Sequence, residues 1–163
     1  MRVWRSRDAS KNLYRECRVT AKSVAMPTAF GGRRLLPNRR RGYNQKISVV
    51  GRDGKKLAIH MRTGNYADGT IGEIFVDIAQ NADPSLRAML NMWAMAVSLA
   101  LQHGCPLDTL VEMYTFTKFD PSGPVRDHAR IKMCTSIVDA IFRDLAINYL
   151  QRDDLAHVEA EAS

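Results

Sequence analysis

Between Asp83 and Gly104 the chain reads DPSLRAMLNMWAMAVSLALQHG, and its apolar positions recur at helical steps. Leu86, Met89, Leu90, Trp93, Ala96, Val97, Ala100 and Leu101 line one face. Met92, Met95 and Leu99 widen the apolar arc until little polar surface remains. Asp83 suits an N-cap, because its carboxylate accepts from the free N–H groups of the first turn; Pro84 suits the first helical position, and Gly104 a left-handed terminus. The spacing predicts one long helix, buried on most sides, as the element on which the rest packs.

Upstream the period changes from 3.6 to 2. Ile47 and Val49, then Leu57, Ile59 and Met61, alternate with polar residues around the turn Gly51-Arg52-Asp53-Gly54. A third run, Ile71 to Ile78, follows the turn at Asp68-Gly69; Gly72, Ile74, Val76 and Ile78 form its core face, and Phe75 stands with Glu73 and Asp77 on the other. These runs predict a small antiparallel three-stranded meander packed on the long helix. Downstream, Pro106, Leu107, Leu110, Val111 and Tyr114 mark a second helix. The Pro- and Gly-rich segment Thr115 to Val125 reads as a loop. A third helix is expected from Asp127, as cap, to Leu150 on the repeat Ile131, Cys134, Val138, Ile141, Leu145, Tyr149. The fold class is therefore α+β. Its expected divisions are a basic arm over 1–32, an α+β module over 33–119, a helical extension over 120–152 and an acidic tail over 153–163.

Charge sharpens this picture. The 163 residues carry a net +7, but residues 1–46 hold 13 Lys and Arg against Asp8 and Glu16, so the arm is basic and the remainder acidic. Such a segment can contact phosphate on nucleic acid or nucleotide, or an acidic partner, with an affinity that falls with salt. A solvated leader is the competing reading. Within RRLLPNRRRGYNQK, Arg39, Arg40 and Arg41 crowd beside Tyr43, and this is the candidate contact, since Arg forks phosphate and Tyr stacks on a base. An extended strand with its arginines in water is the alternative.

The remaining chemistry is sparse. Cys17, Cys105 and Cys134 are odd in number and never form C-x-x-C, the usage of a reducing compartment, and no metal site is expected. His60, His103, His128 and His157 fall in different elements, and neither common phosphate-binding glycine loop is present. The Glu73 and Asp77 carboxylates share a strand face, as surface acids also do. The apolar runs are too short to cross a membrane, and a soluble, cytoplasmic protein without catalytic residues of its own is expected.

Four segments, RLLPNRRRGYNQK, IHMRTGNYADGTIGEIFVDIAQ, MAVSLALQHGCPLDTLVEMYTFTKFDPSGPV and IKMCTSIVDAIFRDLAINYLQRDDLAHV, resemble in order the C-terminal region of the adenosylcobalamin-dependent (class II) ribonucleotide reductases. Within it, about Arg34 to Phe119 is similar to the TSCPD domain, whose signature leaves Cys105, Pro106 and Asp108 as recognisable remnants. The resemblance implies a component of a vitamin B12-dependent ribonucleoside-diphosphate reductase. The family's catalytic barrel, with its active-site cysteines and cobalamin contacts, would belong to a separate catalytic chain. It also implies that Cys105 is no radical or shuttle cysteine, and the family's terminal cysteine pair is expected to be missing at Glu161-Ala162-Ser163. A stand-alone nucleotide- or nucleic-acid-binding module derived from that domain is the alternative.

Overall fold

The computed structural model describes residues 32–79 and 82–159. Cys17 and the rest of the basic arm before Gly32 lie outside the described residues, as does the end of the acidic tail. In order the elements are β1 (Asn44–Val50), β2 (Lys56–Asn65), β3 (Ile71–Ile78), α1 (Pro84–Gln102), α2 (Leu107–Tyr114), β4 (Gly123–Arg126), β5 (Met133–Cys134) and α3 (Ile137–Leu150), with a short 3-10 turn at Asp153–Leu155.

The first three strands pair as consecutive antiparallel neighbours, but the sheet has five strands in the order β3-β2-β1-β4-β5, not three. The two extra strands come from stretches read as loop and as helix. Val125 pairs with Val49 and Arg126 with Ser48, while Gly123 and Pro124 pair with Cys134 and Met133. Strands of four and two residues are too short to show alternation, and their pairing partners lie far away in sequence.

The third helix begins at Ile137, nine residues later than expected, because Ser136 and not Asp127 is the cap: its hydroxyl accepts from Asp139 N at 3.0 Å. Ile131 and Cys134 are buried, but from β5 and the turn before it. Every residue from Ile137 to Ile147 is buried, including Asp139, Arg143 and Asp144, so the helix enclosed on most sides is α3 and not α1. Phe142 is fully buried and stacks on Tyr114 of α2 at 4.8 Å, with Trp93 of α1 edge-on at 5.7 Å. These rings join the three helices.

Asp127 is not a cap. It stands at a left-handed φ of 61° and fastens β4 to the two central strands. Ser48 Oγ donates to its carboxylate at 2.7 Å, and Lys56 and Lys46 approach to 3.0 and 3.4 Å. These contacts, the Ser48 bond foremost, hold its carboxyl down to about 2 from an ordinary 3.8. A depressed carboxyl stabilises the fold above the unfolded value and loses that contribution as pH falls through the folded one. Urea unfolding between about pH 5 and pH 2 should therefore show a shallower loss of stability in Asp127→Asn than in the native protein. Equal slopes would remove Asp127 as a stabilising ionised group.

The N-terminus of α1 follows its sequence signals: Asp83 Oδ1 accepts from Ser85 N at 2.8 Å and Leu86 N at 3.0 Å, and Gly104 ends the helix at φ +87°. Its packing follows them in part: Leu90, Val97 and Leu101 of the predicted face are buried, whereas Met89 and Ala96 are exposed. α1 lies against β3, an edge strand, burying Leu90, Ala94, Val97, Ser98, Leu101 and Gln102. Ser98 Oγ accepts from Ile74 N at 3.0 Å, and its own proton lies within reach of Ile74 O and Ala94 O. Gln102 Nε2 donates to Gly72 O at 3.1 Å. Two polar side chains thus stand in for the absent neighbouring strand.

Candidate functional site

The segment ahead of β1 is bound to the fold by its own arginines. Arg33 Nε donates to Gln102 Oε1 at 2.6 Å, and Arg34 N to Gln102 O at 2.8 Å. The Arg34 guanidinium lies 3.7 Å over the Tyr66 ring and pairs with Asp68 at 2.8 Å, while the Tyr66 hydroxyl donates to Arg34 O at 2.6 Å. Further on, Arg40 pairs with the mostly buried Glu73 and donates to Pro37 O. Glu73 and Asp77 are therefore no carboxylate pair; Asp77 binds Arg62 at 2.6 Å, and that guanidinium stands 5.6 Å over the half-exposed Phe75.

Arg39 and Arg41 are exposed. The Arg41 carbonyl accepts from Asn65 N at 2.8 Å, and Thr63 N donates to Tyr43 O at 3.0 Å, so the segment runs on beside β2. Gly42 lies between them with its backbone against β2; a Cβ there would collide with the Thr63 carbonyl. Only glycine permits this approach.

Tyr43 is half-buried, and its hydroxyl donates to Asp144 Oδ2 at 2.5 Å. Burial first, then the Asp144 charge, pushes the phenol well above its ordinary value. Asp144 also receives His128 Nε2 and Asn148 Nδ2, each at 2.9 Å, and His128 Nδ1 accepts from Arg130 N and Ile131 N. Both His128 nitrogens are thus occupied, and Cys134 is not among its partners. Tyr149 of α3 lies 5.8 Å from the Tyr43 ring, and its hydroxyl donates to Asn65 Oδ1 at 2.6 Å.

Arg41, Tyr43, Asn65, Asn148 and Tyr149 line an open hollow of about 560 Å³. The structure brings together Arg41 and Tyr43 of the four candidate residues; Arg40 turns to Glu73, and Arg39 stays outside the lining. Asn148 and Tyr149 were missed as site residues, since the helical repeat marks Tyr149 only as an apolar position. The hollow offers an exposed guanidinium beside two aromatic rings, which suits contact with an anion or a planar group. It is poorly suited to acid–base work, because the phenol is held un-ionised and the Asp144 carboxylate is buried and saturated with donors.

Cys105, Pro106 and Asp108 form the corner between α1 and α2. Cys105 N donates to Ala100 O at 2.9 Å, Pro106 takes the position before the first helical residue, and Asp108 sits in the first turn of α2, 3.8 Å from Arg152. Desolvation raises the Cys105 thiol above its usual range, the reverse of an activated nucleophile. A second hollow of about 600 Å³ has Arg52, Lys118, Ser122 and Cys134 in its wall, and burial pushes the Cys134 thiol up to about 11. Among the described residues no cluster of three metal-binding side chains occurs, and no helix is long and apolar enough to cross a membrane.

The TSCPD domain family matches residues 31–149. A protein of Agrobacterium fabrum named vitamin B12-dependent ribonucleotide reductase is 50% identical over 127 residues, covering 78% of this chain and 10% of that protein. One of Bradyrhizobium diazoefficiens with the same name is 46% identical over 146 residues, covering 90% and 11%. Another, of Streptantibioticus cattleyicolor, is 36% identical over 118 residues, covering 72% and 18%. The chain thus spans about a tenth of the length of the first two relatives. No solved structure matches it significantly.

Proposed function

Because this chain belongs to the TSCPD domain family, we propose that it is a component of a vitamin B12-dependent ribonucleoside-diphosphate reductase, an accessory domain that docks on a separate catalytic chain in deoxyribonucleotide synthesis. The observation that carries the reading is the high identity along most of this chain to a small part of proteins bearing that name. Burial raises the Cys105 and Cys134 thiols, the opposite of what an activated nucleophile needs. Adenosylcobalamin is assigned to the catalytic chain, because the described residues do not fit it. The two hollows are open and small beside a corrin ring with its nucleotide tail, and His128 is turned inward with both nitrogens engaged.

The basic segment gives this domain its contact to a phosphate or to an acidic face of the partner, with Arg39, Arg40, Arg41 and Tyr43 as the candidate residues. Its charge also favours a second reading, a free-standing module that holds nucleotide or nucleic acid.

One experiment separates the two. A catalytic reductase chain that ends before the segment matching residues 31–149 is assayed for ribonucleotide reduction with adenosylcobalamin and a dithiol, with and without this protein. Activity that rises only with both chains present is the expected result. No change, together with no co-elution, overturns the reductase reading. The variant Arg39→Glu/Arg41→Glu, which leaves the Arg40–Glu73 pair in place, should bind about tenfold or more weakly, with a flatter salt dependence. Unchanged affinity would remove the arginines from the contact.

A further inference from the structure

Among the described residues nothing covers the outward face of α1. Met89, Met92, Met95 and Leu99 are 65, 60, 64 and 46% exposed, and Ala88 and Ala96 beside them are exposed as well. No Asp, Glu, Lys or Arg occurs between Arg87 and Asp108, so the face has no charge of its own. Ala88, Met92, Met95 and Leu99 follow one another at steps of four, three and four, the spacing by which one helix seats in the groove of another surface. Contiguous exposed apolar patches mark interaction sites, and methionine is the residue such surfaces favour, because its unbranched side chain adapts to the shape it meets.

We infer that this methionine face of α1 docks into an apolar groove on the catalytic body of the reductase. The inference rests on the function proposed above and assigns that docking to a particular surface.

Interface area and the relatives' lengths choose the occupant. A standard specific interface takes about 800 Å² from each partner. Four large exposed side chains are far fewer than the roughly 20–30 residues a side that such an interface takes, so two copies joined through α1 alone fall short of a stable dimer. The relatives carry about nine tenths of their length outside the matched segment, and a body of that size can enclose the stripe and bind surface next to it. A lipid surface is the poorer fit, because helices that lie on membranes carry Lys and Arg along the polar face, and the opposite face of α1 is buried on β3.

The test uses the full chain and the catalytic reductase chain that ends before the matching segment. In the double variant Met92→Glu/Met95→Glu both changes lie in water in the free protein, and its thermal unfolding is compared with that of the native chain. Affinity for the catalytic chain is expected to fall at least tenfold, while Met133→Glu, an exposed methionine of β5, changes it by less than about twofold. A second measurement needs no variant. Peroxide oxidation of Met89, Met92 and Met95, read by peptide mass, should slow at least fivefold in the complex, with Met133 unprotected.

If the native chain binds and both the double variant and the oxidation rates are unchanged, the docking face is overturned while the reductase reading stands. If the native chain does not bind the catalytic chain at all, both fall. A chain that sediments as a dimer, with α1 methionines protected in that dimer and not further by the catalytic chain, assigns the face to a second copy and overturns the proposal.

Discussion

Asp139→Ala is expected to cost about 3–5 kcal/mol, a large share of the roughly 5–15 kcal/mol by which a domain is stable. Asp139 is fully buried in the first turn of α3, and its carboxylate holds three donors: Phe116 N at 2.7 Å, Thr135 N at 3.0 Å and Arg143 Nε at 2.9 Å. Arg143 is itself nearly enclosed, under the Phe116 ring at 4.6 Å and donating to Leu155 O at 3.0 Å. Removing the carboxylate leaves a buried guanidinium without its counter-charge and two backbone N–H groups without an acceptor. Most of the cost comes from the stranded charge, so the double variant Asp139→Ala/Arg143→Met should recover part of the stability although it removes one more native side chain. Urea unfolding of both variants checks the argument. A loss below about 1 kcal/mol for Asp139→Ala, or a double variant weaker than the single, would show that the pair does not hold α3 to the loop that precedes it.

The second large effect concerns the sheet edge. The variant Ser98→Ala/Gln102→Ala strips the groups that meet Ile74 and Gly72 of β3, leaving buried backbone polar groups unpaired at about 1–3 kcal/mol each, or about 2–6 kcal/mol in all. The loss should be local before it is global, since β1 and β2 keep their own pairing. Amide exchange distinguishes the two: the Ile74 amide should exchange much faster in the variant, with Ile47 and Ile59 far less affected. An Ile74 amide as protected as in the native protein would mean that packing of Leu90, Ala94 and Val97 covers the edge without Ser98. An uncovered edge strand also invites pairing with other chains, so the variant should aggregate at lower concentration.

The candidate site has the same double character. Arg41 and Tyr43 can be picked out in the sequence as a basic run beside an aromatic residue. That Tyr43 turns its hydroxyl inward to Asp144, 101 residues on, and that Arg40 is taken by Glu73, cannot be. Asn148 and Tyr149 join the hollow because the last turn of α3 passes Asn65 of β2, which no local pattern announces. The cysteine corner was more legible, because Gly104 and Pro106 act on the backbone at their own positions.

What the sequence determined by itself was set by short-range physics and by resemblance. Asp83, Pro84 and Gly104 bounded α1 because caps and φ preferences act within a turn. Strand alternation placed β1 to β3, with Ile71–Ile78 at its observed bounds, because a half-buried strand repeats every two residues. The four collinear segments led to the TSCPD family, which the comparisons bear out. Tertiary structure decided the rest. Only pairing with β1 makes strands of Gly123–Arg126 and, next to it, Met133–Cys134, and this delays α3 to Ser136. Apolar content alone could not say which helix would be enclosed. α3 sits inside the fold with its charges paired, whereas α1 spends one face on the edge of β3 and leaves its methionines in water. Burial depends on neighbours distant in sequence, and a helix with apolar residues on every side fits either place.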